Sequence, residues 1–161
     1  MAGDSAIRTI DGTTAAPGLR VAVVVSRYHD FVTDRLQGGA LAALAALGVA
    51  AGVITVVRVP GSFEIPSAAE HAGASGRFDA VVCLGCLIRG ETPHFEYISA
   101  AVAHGLTAAA SATGVPMTFG VLTTNSVEEA LARAGEGQSN KGWEAATAAV
   151  EMATVIARLK A

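Results

Sequence analysis

Apolar residues along this chain fall into two alternating patterns. Four short and nearly continuous runs, Arg20–Ser26 (RVAVVVS), Val53–Val59, Ala80–Leu84 and Pro116–Leu122, read as strands buried on both faces. The stretches between them repeat apolar residues at helical spacing. A first helix is expected from about Asp30 to Leu47, with Leu36, Ala40, Leu44 and Leu47 on one face and Gly48 as its stop. Gly38 and Gly39 inside it cost helix propensity, about 1 kcal/mol each, and imply a close helix approach. A second helix follows Ser62-Phe63-Glu64-Ile65-Pro66 and stops near Gly73 to Gly76. The third spans Pro93 to about Thr113, with the Thr92 hydroxyl expected as its cap and Pro93 at its first position. Ser126 and Glu129 make a capping-box pair ahead of a short helix that stops at Gly135, and a last helix runs from about Lys141 to Leu159. Residues 1–17 read as a small, polar N-terminal arm in which Ile7–Ile10 alone offers a short strand; residues 18–161 read as one domain.

Regular alternation of strand and helix across short links calls for a mainly parallel four-stranded sheet with helices on both faces, a three-layer α/β sandwich. In such sheets ligands bind beyond the carboxyl ends of the strands. Tyr28, Ser62 to Glu64, Arg89 to His94 and Thr123 to Ser126 fall there. His94 would sit in the first turn of its helix, beside unpaired amides that favour an anion. The same dipole disfavours a protonated imidazole, so His94 is expected as a neutral proton acceptor near pH 7. An anion cradle and a proton-transfer group at the end of a buried strand make a candidate active site, although a histidine after a strand is more often structural.

Composition narrows the function. The chain has 161 residues, 52% of them hydrophobic and 16% charged, with aromatics at 5%. Its mean hydropathy of +0.47 comes mostly from Ala, Val and Gly, which fits tight helix packing or surface buried between copies. No apolar run approaches the roughly 20 residues of a membrane span. A net charge of −3 without a basic run argues against nucleic acid as a partner. The N-terminus carries no secretory pattern, and Cys83 and Cys86 lie in or just after a strand, before a helix starts. They read as reduced core thiols of a cytoplasmic protein and not as a redox pair. No nucleotide fingerprint follows the first strand, the four histidines His29, His71, His94 and His104 have no metal spacing, and no serine sits in a G-x-S-x-G elbow.

Single residues leave alternatives open. Tyr28 could stack on a flat ring or cover the core edge; Glu64 could accept hydrogen bonds from hydroxyls or favour a helix start. Arg133 and Lys141 flank the loop before the last helix, where exposed helix-end charges are the default and a phosphate grip the sharper reading. Trp143 reads as a packing residue at an interface.

Together they decide. The succession VPGSFEIP (59–66), LIRGETPHFEYI (87–98), FGVLTTNSVEEALARAG (119–135) and NKGWEAA (140–146) closely resembles the lumazine synthase family, in order and without large gaps from about Leu19 to Lys160. The resemblance implies a flavodoxin-like fold and an enzyme of riboflavin biosynthesis. It would condense 5-amino-6-ribitylaminouracil with 3,4-dihydroxy-2-butanone 4-phosphate to 6,7-dimethyl-8-ribityllumazine, releasing phosphate and water without a cofactor or metal. It also implies roles. Tyr28, where the family more often has Phe or Trp, would stack on the pyrimidine, and Ser62, Phe63 and Glu64 would line the ribityl and pyrimidine site. Cys86, Leu87 and Ile88 would offer backbone groups to the pyrimidine edge. Glu91, through its amide, and Thr92 would join the phosphate cradle, and His94 would transfer protons. Phe119, Arg133 and Lys141 would come from a neighbouring subunit, with Arg133 on the phosphate.

The resemblance further implies a pentamer. The short link from Arg133 to Lys141 resembles that of members whose pentamers close into an icosahedral shell of about sixty subunits. Two other readings of the chain are a shell-forming relative without activity and a flavodoxin-like module that binds a flavin or similar ring. The first does not explain why His94, Arg133 and Lys141 occur together, and the second does not explain Arg133.

Overall fold

In a computed structural model, which describes residues 6–15 and 18–161, the apolar runs become β1 (Val21–Ser26), β2 (Ile54–Val59), β3 (Ala80–Ile88) and β4 (Met117–Thr124). They form one sheet in the order β2-β1-β3-β4, and every pairing is parallel. The helices are α1 (Asp30–Ala46), α2 (Ile65–Ala74), α3 (His94–Thr113), α4 (Val127–Arg133) and α5 (Lys141–Lys160).

Alternation along the two central strands builds the three layers. Val21, Val23 and Val25 of β1, with Val82 and Leu84 of β3, join a core with Leu36 and Leu44 of α1 and Ala146 and Val150 of α5. Ala22 and Val24, with Val81 and Cys83, face the other way onto Ile65 and Ala69 of α2 and Val102 and Leu106 of α3. Every residue of β1 is buried, as a strand covered on both faces must be. Edge strands β2 and β4 are only partly covered. Among the described residues no helix is long and apolar enough to cross a membrane.

The close approach expected at the first helix is made by Gly39. A Cβ there would run into the Asn140 side chain, and one on Gly142 into the Leu36 carbonyl; Gly38 faces open space instead. Asn140 uses this contact fully. Its Nδ2 donates to the carbonyls of Arg35 (3.2 Å) and Gly135 (2.8 Å), and its Oδ1 caps α5 by accepting from Gly142 and Trp143. Glu129 takes the Asn125 amide (2.8 Å) while Ser126 accepts from Glu129, so the capping box forms with its return bond one residue early.

Three expectations change. The Thr92 hydroxyl does not cap α3, because the residue ahead of its first turn is Pro93 (φ −72°), which has no side-chain acceptor. The first-turn amides therefore carry no side-chain cap. Ile7–Ile10 forms no strand, and Ile7 is almost fully exposed; residues 1–5 and 16–17 of the expected arm lie outside the described residues. Strand β3 continues past Leu84 to Ile88, so both cysteines belong to it.

Candidate active site

Beyond the carboxyl ends of the strands lies a groove of about 970 Å³. Its position follows from local sequence. The turn after β1 carries Tyr28, and its backbone is tied to the end of β2 by Arg27 N–H to the Val59 carbonyl (2.8 Å) and Tyr28 N–H to Pro60 (3.1 Å). After Pro60-Gly61, a tight turn over Ser62–Glu64 leads into α2. Ser62 is buried, while Phe63 is 62% and Tyr28 is 67% exposed. Gly85 allows this turn to rest on the sheet: a Cβ there would lie 2.7 Å from Ser62 Oγ and 3.0 Å from Ile65 Cδ1.

The far wall is the entry to α3. Residues 89–93 are clamped by Arg89, whose Nε donates to Asn125 Oδ1 (3.0 Å) and whose guanidinium pairs with Glu96 and lies 4.5 Å from the Phe95 ring. Arg89 is thereby consumed in holding the loop. The imidazole of His94 opens α3 and lines the groove, exposed to solvent.

The structure brings Tyr28, Ser62, Phe63, Glu64, Leu87, Ile88, Thr92 and His94 to this one groove. Gly90 and Thr92 line it; Glu91 between them does not, and its side chain is exposed. Cys86 lies buried below, in β3. Burial pushes its thiol up to about 11 and raises that of Cys83 further still, so neither is a thiolate near neutral pH. Both thiols are free. No group of three metal-ligating side chains occurs among the described residues.

Phe119, Arg133 and Lys141 stand elsewhere. They line a second depression of about 580 Å³ along the open edge of β4 and the start of α5. Arg133 donates to its own helix at the Glu129 carbonyl (3.1 Å), and Lys141 pairs with Glu144 at 2.7 Å. The first groove has no Lys or Arg among its lining residues, whereas the second has two.

Sequence reasoning passed over His29, Val127 and Tyr97, which also line the first groove, and Gly85 beneath it. An isolated glycine inside an apolar strand was the available signal for Gly85. Nothing in the pattern marked His29.

A parallel three-layer sheet, with a groove past its strand ends holding exposed aromatic rings, an imidazole and a carboxylate, defines a flavodoxin-like α/β protein with a small-molecule site. Residues 18–157 match the family described as 6,7-dimethyl-8-ribityllumazine synthase. A 6,7-dimethyl-8-ribityllumazine synthase from Desulfatibacillum aliphaticivorans is 46% identical over 153 residues, covering 95% of this chain and 99% of the relative. One from Syntrophus aciditrophicus (strain SB) is 48% identical over 149 residues, covering 92% and 97%. The chain belongs to the 6,7-dimethyl-8-ribityllumazine synthase family and is an enzyme of riboflavin biosynthesis. The match favours the enzyme over the inactive shell and the flavin-binding module.

Proposed function

We propose that the two depressions are complementary halves of one active site, the groove of one subunit closed by the β4 edge of its neighbour. The observation that carries this reading is the separation of charge. A phosphate ester needs a cation, and guanidinium matches it in a forked geometry. The groove with His94 has none among its lining residues, and Arg133 and Lys141 lie together on the other surface. The exposed rings of Tyr28, Phe63 and Phe119 are further support, since a partner would cover them.

In this reading Tyr28 stacks on the pyrimidine of 5-amino-6-ribitylaminouracil, and Ser62, Phe63 and Glu64 hold its ring and ribityl chain. The backbone of Cys86, Leu87 and Ile88 meets the pyrimidine edge. Thr92, the Glu91 amide and the neighbour's Arg133 and Lys141 hold the phosphate of 3,4-dihydroxy-2-butanone 4-phosphate, beside the neighbour's Phe119. The amine attacks the ketone and the adduct loses water to an imine, phosphate is eliminated, and the second amine closes the ring on the remaining carbonyl with loss of another water, His94 moving protons between the reactants. Holding two reactants in register can supply about 7–11 kcal/mol of the barrier.

Such a site requires at least two subunits, and a head-to-tail arrangement of them closes into a ring. The short Arg133–Lys141 link supports pentamers closed into an icosahedral shell of about sixty subunits. Residues 1–17 serve as an arm to the 18–161 domain; Thr13 N–H donating to Thr154 Oγ1 (2.8 Å) docks part of it on α5. The buried free thiols fit the cytoplasm. Incubation of the protein with both substrates, following lumazine fluorescence and phosphate release, tests the reaction. Product and phosphate should appear together; no product at micromolar enzyme contradicts it.

A further inference from the structure

Three residues, 27–29, turn the chain from β1 into α1, and the last of them is strained. His29 has φ 60° and ψ 47°, the one non-glycine residue with positive φ among those described. A side chain disfavours this left-handed region, and a residue kept there points to a constraint elsewhere. Helix capping is not that constraint. His29 stands ahead of the first turn of α1, where a short polar side chain would cap the amides, yet its side chain makes no cap bond. Only its carbonyl serves the helix, accepting from Val32 (2.9 Å) and Thr33 (3.0 Å).

What the turn achieves is the placement of a ring. The imidazole centroid lies 4.4 Å from that of Tyr28, tilted by 59°, and 5.7 Å from that of Phe31, nearly edge-on at 84°. Tyr28 is largely exposed, so little else restrains its side chain. Burial holds the His29 imidazole below its ordinary value, which keeps the ring uncharged near neutral pH.

We propose that His29 is a positioning residue: the left-handed turn sets its ring against Tyr28 and holds the Tyr28 ring ready to receive the flat pyrimidine. The proposal rests on the reading of Tyr28 as the stacking residue. Without the brace, Tyr28 must be ordered when substrate binds, and that cost falls on the pyrimidine alone.

Steady-state kinetics of His29→Gly and His29→Asn test it. Both residues tolerate a left-handed backbone, so both variants keep the turn, while neither supplies a ring. The KM for the aminouracil should rise about 2- to 12-fold in each, the equivalent of freezing one side chain, with kcat and the KM for the butanone phosphate within twofold of wild type. An unchanged aminouracil KM in His29→Gly overturns the proposal. So does recovery in His29→Asn alone, which would assign a polar contact in place of a brace, or a parallel rise in both KM values. Tyr28→Leu separates the two levels. If it leaves the aminouracil KM unchanged, the stacking reading fails; if it raises that KM and His29→Gly does not, only the brace fails.

Discussion

At the scale of single residues, the proposed site divides into groups that would touch substrate and groups that make room for them. His94 belongs to the first kind. Acid–base help from one imidazole contributes about 100- to 10,000-fold, so His94→Ala should slow turnover within that range without abolishing it, as product fluorescence would report. Arg133→Ala should raise the KM for the butanone phosphate far more than that for the neutral pyrimidine; equal effects would mark Arg133 as structural. Gly85 belongs to the second kind. A methyl group there would crowd Ser62 Oγ and Ile65 Cδ1, so Gly85→Ala should lift the Ser62–Glu64 turn and weaken aminouracil binding, measurable by titration calorimetry. That His94, Ser62 and Glu64 line the groove could be read from sequence because they follow apolar runs, and the strand-end rule needs no more. His29 could not, because its proposed role arises from a backbone angle that leaves no local pattern, and Gly85 left only an isolated glycine in an apolar strand, which marks a close approach without naming the turn that makes it.

At the scale of elements, the apolar pattern with its cap and stop signals predicted the four strands and five α-helices of the 18–161 region, since each buries a stripe or both faces, whereas the short 3-10 turns at Ala51–Val53 and Gly137–Ser139 left no such record. The junctions were harder to read. Thr92 looked like a cap, but capping depends on which residue first turns helical, and Pro93 takes the place ahead of it. Asn140 caps the last helix and also reaches the Arg35 carbonyl, 105 residues away in the chain. That contact depends on Gly39 and Gly142. Gly142→Ala would drive a methyl into the Leu36 carbonyl and should cost about 1–3 kcal/mol in denaturant unfolding. A second long-range tie lies at the starts of the strands. Hydrogen bonds from the Arg20 guanidinium, with an ion pair at 2.9 Å, hold the Asp79 carboxyl below its ordinary value and link the starts of β1 and β3. The stabilisation is present above the unfolded carboxylate value of about 3.9 and is lost as pH falls through the lower folded one. Asp79→Asn should flatten that part of a melting-temperature profile against pH.

At the scale of the whole molecule, the proposed division of the site between subunits would leave the single chain incomplete as an enzyme. It exposes Tyr28, Phe63 and Phe119, leaves the β4 edge open and keeps Arg133 and Lys141 away from the groove that His94 lines. Association accounts for all three at once. Light scattering at neutral pH should find the closed shell; a single species near five subunits, unchanged by protein concentration, would leave the pentamer instead. The divided site itself is tested most directly by complementation. His94→Ala and Arg133→Ala variants, each strongly impaired alone, are unfolded, mixed in equal amounts and reassembled. If each site draws His94 from one subunit and Arg133 from the next, random mixing leaves about a quarter of the sites with both residues intact, and activity should recover to about that fraction of wild type. If both residues serve a site within one chain, no mixed site is whole, and activity no greater than the average of the two variants would contradict the account.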